Sequence, residues 1–269
     1  MMRLFSVVLV LASLAACVHS PPPAPRGVLL ERLTWQQAEQ ALTPQTVVVL
    51  PLGAQAKEHG PHLPLANDWN MAMYLAGRVR AEADVVMAPP LNYSYYPAFV
   101  EYPGSTSLRL ETARDVIVDL CRGLARFGPR RFYVLNTGVS TLSALQPAQE
   151  VLAAEGITLR YTDLLRALGP VEKEISQQEG GTHADELETS MMLYIAPETV
   201  DMSRAVKEYN PGKGPLTRNP AGPGKVSLSG VFGDATLATR AKGERLVETL
   251  VRSLLADIEE LRALPVAPP

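Results

Sequence analysis

Short apolar runs rich in β-branched residues alternate along this chain with stretches of helical periodicity, and this alternation limits the possible folds more than any other feature. The runs at Val47–Leu52, 84–88, 131–135 and 157–161 have strand length. Helical patterns occupy 68–83, 111–127 and 142–154 between and after them. Strand and helix in turn imply a mostly parallel sheet covered by helices on both faces, a three-layer α/β/α architecture. Residues 184–195 and 238–261 add two more helices, the second long and amphipathic. No linker or repeat interrupts residues 31–264, which therefore read as a single domain.

The N-terminus is of another kind. Arg3 precedes an apolar run, residues 4–16, and Cys17 follows it. Such a run is too short to span a bilayer as a helix and has the layout of a signal peptide, residues 1–16. Leu14-Ala15-Ala16-Cys17 resembles a lipobox, whose cysteine is lipidated and becomes the first mature residue. An ordinary secretory signal cut near Ala16 is the alternative. Pro21, Pro22, Pro23 and Pro25 make the next stretch an extended tether, residues 17–30. The expected location is the bacterial cell envelope, with the chain held to a membrane by its N-terminal lipid and the domain facing the periplasm or the exterior.

Cysteine and charge narrow the function. With Cys17 acylated, Cys121 has no partner for an internal disulfide, and its neighbours Val118, Leu120 and Leu124 make it a buried apolar residue. The net charge of −3 and scattered basic residues give no nucleic-acid footprint. The expected partner is a small molecule or a short peptide.

The densest chemistry directly follows Val47–Leu52. Lys57-Glu58-His59-Gly60-Pro61-His62-Leu63-Pro64-Leu65-Ala66-Asn67-Asp68 gathers two imidazoles and two carboxylates in a loop stiffened by prolines. Open α/β sheets hold their ligands at the carboxyl ends of strands, where this loop belongs. Proline and glycine explain a turn, but not the clustering of histidine and acid.

His59-Gly60-Pro61-His62-Leu63-Pro64-Leu65, followed by Asp68, resembles the signature of the creatininase (creatinine amidohydrolase) family. The resemblance continues in order through Tyr102-Pro103-Gly104-Ser105-Thr106, residues 132–141, and His183-Ala184-Asp185-Glu186-Leu187-Glu188-Thr189-Ser190. It covers residues 31–262. It implies the same three-layer fold, hydrolysis of a non-peptide or cyclic C–N amide bond in a small-molecule substrate, a divalent metal such as zinc or manganese, and possible homo-oligomers.

The resemblance also implies a ligand set, which this chain keeps in part. The family pattern has a Glu two residues before the first histidine, and an Asp nine residues after it that bridges two ions. His59 and Asp68 match as metal ligands, whereas Lys57 stands at the Glu position. Gly138 and Ser140 stand where the second motif has a His and a Glu. Because a lysine ammonium beside two dications is strongly disfavoured, two arrangements follow. Either Lys57 lies near Asp68 and replaces one metal with a fixed positive charge, or one ion remains, held by His59, Asp68 and Glu188. His183 aligns with a catalytic histidine and is expected to pass a proton to the leaving nitrogen, with Lys57 and Glu188 as further catalytic groups. Glu58, His62 and Ser140 are assigned to substrate binding, although His62 can instead brace the loop and an extended backbone points Glu58 away from Lys57. Asp185 and Glu186 suit the positive end of a helix that Thr182 is expected to cap.

Other readings compete. Ser140 lies between a strand and a helix, where α/β hydrolases expose a nucleophile, and with His183 and an acid it would form a metal-independent serine hydrolase. Leu142 stands where such a motif needs its second glycine, and capping the helix is the simpler role for Ser140. A catalytically inactive ligand-binding or scaffold protein is favoured by the missing ligands and disfavoured by the retained His, Asp and Glu. Residues 210–233 form a long Gly- and Pro-rich connection, read as a lid or a subunit contact. Within it, Gly222-Pro223-Gly224-Lys225 fails as a phosphate loop, since Val226 follows the lysine. Tyr93, Tyr95 and Tyr96 suit a pocket wall or ordinary packing.

Overall fold

The computed structural model describes residues 24–265. The signal peptide, Cys17 and most of the tether lie outside the described residues. Among the described residues, five strands form one parallel sheet: β1 (Val28–Leu29), β2 (Val47–Leu52), β3 (Val86–Met87), β4 (Arg131–Asn136) and β5 (Thr158–Tyr161), in the order β1-β3-β2-β4-β5. The helices in chain order are α1 (Trp35–Ala41), α2 (Asn67–Glu82), α3 (Leu110–Ala125), α4 (Leu142–Ala153), α5 (Leu164–Ile175), α6 (Glu186–Ile195) and α7 (Arg240–Ala263).

Strands β2 and β4 are buried along their whole length, which is why they read as unbroken apolar runs. Successive side chains nonetheless go to opposite faces. Val47 and Val49 join Met71, Leu75, Met191, Leu246 and Leu250 on the face covered by α2, α5, α6 and α7. Val48 and Leu50 join Ile117, Cys121, Leu145 and Leu152 on the face covered by α1, α3 and α4. Helix α7 buries Leu246, Leu250, Leu254, Ile258 and Leu261 at helical spacing, each such side chain contributing about 2 kcal/mol. Cys121 is fully buried as expected, and burial pushes its thiol up to about 12.

The chain leaves β2 for β3 on one side and reaches β4 on the other. The sheet therefore changes direction between β2 and β4, and a crevice opens beyond their carboxyl ends. Two contacts fix it. The hydroxyl of Thr137 donates to the carbonyls of Leu52, at 3.2 Å, and Asp68, at 3.0 Å. Gly53 lets the first turn of α2 press onto the strand end, since a Cβ there would sit 2.3 Å from the Asp68 carbonyl oxygen.

Three features depart from the sequence expectation. Val28 and Leu29, assigned to the tether, pair with Val86 and Met87, because the free edge of β3 satisfies their backbone groups. Helix α5 forms in spite of Gly169 and Pro170, with Asp163 accepting from the amides of Leu165 and Arg166 at its start. Residues 210–233 are tied down by short pairings. β6 (Lys207–Glu208) runs antiparallel to β9 (Gly233–Asp234), and β7 (Leu216–Thr217) runs parallel to β8 (Lys225–Val226). No described helix is long and apolar enough to cross a membrane.

Candidate active site

The loop after β2 turns back into α2, so that Asp68, in the first turn of the helix, faces the residues just left behind. Lys57 Nζ lies 2.7 Å from Asp68 Oδ2, and His59 Nε2 lies 2.8 Å from Asp68 Oδ1. Both groups, two residues apart in the loop, reach one carboxylate. Glu58 does point to the other side, yet it meets the site there. Its Oε2 accepts from His183 Nε2 at 3.1 Å, and its Oε1 accepts from the amide of Gly60.

His183 and Glu188 come from the entry to α6. Asp185, rather than Thr182, caps this helix, accepting from the amides of Leu187 and Glu188 at 3.0 Å each. Ala184 takes a left-handed φ of 48°, which turns its amide onto Glu188 Oε2 at 2.7 Å. Glu188 Oε1 lies 3.3 Å from His59 Nε2 and accepts from Asn67 Nδ2 at 3.0 Å. Glu188 Oε2 is 3.8 Å from His183 Nδ1.

Lys57, Asp68, His59, Glu188, His183 and Glu58 thus form a chain in which bases and carboxylates alternate. Burial opposes charge at each of the groups whose titration is displaced, and pairing overrides it. Burial disfavours the His59 imidazolium, but Asp68 and Glu188 raise its pKa to about 9. The Lys57 ammonium, opposed by burial, is held above its ordinary value by Asp68, Glu188 and Glu58. Asp68 and Glu188 resist the upward push of burial and lie below the usual carboxylate range, the first because of Lys57 and His59, the second because of His59, His183 and Lys57.

A cavity of about 280 Å³ opens onto this chain. Lys57, His183, Glu188 and Ser140 line it, together with Thr137 and Gly138 after β4. Phe99, which the sequence did not single out, lies 4.9 Å from Lys57 Nζ and 4.5 Å from the His183 ring, measured to its ring centre. Its only signal was its place between the Tyr-rich run and Glu101. Glu58 and His62, assigned to substrate binding, do not line this cavity. His62 is buried, its Nε2 sits 2.8 Å from Thr189 Oγ1, and burial lowers its pKa to about 4, so it braces α6 as a neutral ring.

Ser140 reaches the cavity but is not assembled as a nucleophile. The ring nitrogens of His183 face Glu58 and Glu188, and among the described residues no hydrogen bond joins Ser140 to His183. Nor does Ser140 cap α4. The residue before that helix is Thr141, whose hydroxyl donates instead to Asn136 Oδ1 at 2.6 Å.

The donor set does not fit two ions. Lys57 holds a cation against Asp68, and Gly138 has no side chain to offer. It does fit one ion. His59, His183 and Glu188 offer donor atoms within 4.8 Å of one another. The far nitrogen of each ring is already held, His59 Nδ1 donating to the Lys57 carbonyl at 2.9 Å and His183 Nε2 to Glu58. Such outer contacts orient metal-binding histidines and fix their tautomers.

Comparison with known proteins places the chain in a family. The family model described as Creatininase, creatinine amidohydrolase, matches residues 31–258. The chain is 27% identical to the creatinine amidohydrolase of Pseudomonas putida over 87% of its own length and 97% of that protein's. It is 31% identical to the mycofactocin precursor peptide peptidase of Mycolicibacterium smegmatis over 76% of its length and 81% of that protein's. A solved structure described as the manganese form of creatininase superposes with a TM-score of 0.74 at 25% identity, covering 88% of this chain and all of the other. With a matching fold and a family model that spans residues 31–258, the chain belongs to the creatininase family.

Proposed function

We propose that this protein is an amidohydrolase that cleaves a non-peptide or cyclic C–N amide bond using one divalent ion, zinc or manganese, with Lys57 standing in for a second. The observation that carries the reading is the convergence of His59, His183 and Glu188. Two histidines and a carboxylate make a donor set known for catalytic zinc. An ion held there supplies Lewis acidity toward a carbonyl and lowers the pKa of water.

The chain's own residues do the rest. Lys57 lines the cavity and carries a fixed positive charge, suited to stabilising the oxygen of a scissile carbonyl as negative charge develops. Glu58 holds the His183 ring through Nε2, which leaves Nδ1 turned toward Glu188. Asp68 keeps both Lys57 and His59 in position. In this arrangement His183 is a ligand rather than the proton carrier that the family resemblance implies. The relatives named as creatinine amidohydrolase and peptide peptidase support hydrolysis of a C–N bond.

Elemental mass spectrometry of the purified domain tests this. The expected result is a single equivalent of zinc or manganese, lost in His183→Ala and in Glu188→Gln. An ion retained by His183→Ala, with turnover lost, would return His183 to proton transfer. No ion after incubation with excess zinc or manganese would sink the metal-assisted reading.

A second reading, a binding protein without catalysis, is favoured by one observation: the Lys57 charge is already neutralised by a buried carboxylate. Turnover of any amide by the wild type, lost in Lys57→Met, decides against it. We also propose that the signal peptide, residues 1–16, directs the chain to the cell envelope, where a lipid is attached to Cys17. Metabolic labelling with a fatty acid, abolished in Cys17→Ala, is the corresponding test.

A further inference from the structure

The cavity wall holds a cation that the proposed chemistry does not use. Lys225, on β8, lines the same cavity as Lys57, His183 and Glu188. Its backbone N–H donates a hydrogen bond to the Pro215 carbonyl at 2.8 Å. Its ammonium rests 4.7 Å over the Phe232 ring, which in turn packs against Tyr209 at 5.0 Å between ring centres. Such stacking holds a lysine in place without neutralising it.

No carboxylate pairs with Lys225 among the described residues. The acids that anchor the same segment are engaged elsewhere. Glu101 accepts from Thr217 Oγ1 at 2.8 Å and from the Arg218 amide at 2.7 Å. Glu208 accepts from Ser227 and from the amides of Leu228 and Ser229 at 2.8 Å. Of the acids lining the cavity, Asp185 and Glu188 are likewise satisfied, by the contacts of α6 and the alternating chain. Glu172, on α5, has no partner among the described residues and repels an anion from its own side. Leu164, Leu168 and Met191 make another part of the wall apolar.

We propose that Lys225 sets the specificity of this site, and that the substrate is an amide bearing its own carboxylate, of the N-acyl amino acid class, whose anion pairs with Lys225. The assignment rests on the hydrolase reading for its amide, and on the cavity for its charge. The apolar wall takes the acyl group, and the scissile bond lies over the alternating chain. A small cavity with, among the described residues, a cation unpaired by any carboxylate at its wall selects by charge as well as by shape.

Calorimetric titration with N-benzoylglycine and with its neutral counterpart N-benzoylglycinamide tests the assignment. The acid should bind about tenfold more tightly than the amide, and Lys225→Gln should bring the two within about twofold. Lys225→Arg should restore the preference, which a merely structural role for Lys225 would not require, and an unchanged melting temperature shows that both variants fold. Equal affinities in the wild type, a preference that survives Lys225→Gln, or no binding of either probe would overturn the proposal. Affinity and hydrolysis are read separately, so the two readings fail separately. A protein that prefers the acid but hydrolyses no amide loses the hydrolase reading and keeps Lys225, and one that hydrolyses charged and neutral amides alike does the reverse.

Discussion

Lys57 Nζ lies 2.7 Å from Asp68 Oδ2, both groups almost fully buried, while His59 Nε2 holds the other carboxylate oxygen. This places a covalently fixed cation on the carboxylate that the family pattern uses to bridge two ions. The sequence left open whether Lys57 would pair with Asp68 or a single ion would remain. The geometry brings Lys57 onto Asp68 and leaves His59, His183 and Glu188 close enough for one ion as well.

Removing the lysine charge should be costly. In Lys57→Met the Asp68 carboxylate keeps only His59 as a cationic partner, and breaking a buried pair on one side costs about 3–5 kcal/mol. Urea unfolding near neutral pH measures this directly. A loss below about 1 kcal/mol would mean that His59 alone neutralises Asp68.

Stability of the metal-free protein should pass through a maximum near pH 6.5. His59 has its folded pKa raised from 6.5 to about 9, so its contribution is complete below 6.5 and is lost as pH rises through 9. His62 is shifted the opposite way, from 6.5 to about 4, so its contribution is complete above 6.5 and is lost as pH falls toward 4. Each arm is worth up to about 3 kcal/mol. Asp68 and Glu188, both lowered, add a further loss at the acid end, below their ordinary values of 3.8 and 4.5. Urea midpoints from pH 4 to pH 9.5 provide the test, and His59→Gln should flatten the alkaline arm alone.

Gly230→Ala should damage the site from a distance in sequence. Gly230 has φ 88°, and a Cβ there would lie 1.8 Å from Glu58 Oε1. The substitution must strain the backbone and displace Glu58, which holds His183. The expected outcome is a stability loss of about 2 kcal/mol or more, with lower amide turnover. An unchanged melting temperature and turnover would show that Glu58 can move freely.

Gly77→Ala should do the opposite. Gly77 is exposed in the middle of α2, and nothing lies within 4 Å of an added Cβ. Alanine there should stabilise the protein by about 0.5–1 kcal/mol, seen as a higher urea midpoint. A lower midpoint would mean that α2 is strained at this point in a way its contacts do not show.

Much of the fold was legible because local patterns and burial agree. Val47–Leu52 and the run at 131–135 are apolar throughout, since both their faces are covered, and that required helices on each side. Helix α5 was not read, because Gly169 and Pro170 signal a break locally while Leu168, Val171 and Ile175 are held in place by burial against the sheet-side core. The short edge strand Val28–Leu29 carries too little pattern of its own to be seen before β3 is in place.

By itself, the sequence determined the family, the parallel sheet and the identity of the ionisable groups after β2 and at the start of α6, because motifs and periodicity are properties of neighbouring residues. Side-chain alternation along an extended loop would also set Lys57 and His59 on one side and Glu58 on the other. Only the tertiary structure decided what each of these groups meets. His183 lies 125 residues from Glu58 along the chain, yet it arrives on the side to which Glu58 points, so a residue that local geometry turned away from the site became part of it. Lys225 is a lysine in a glycine-rich loop until Phe232 and the cavity stand beside it. The charge state of His59 was undecided for the same reason: a pKa depends on burial and on nearby charges, and both exist only after the chain has folded.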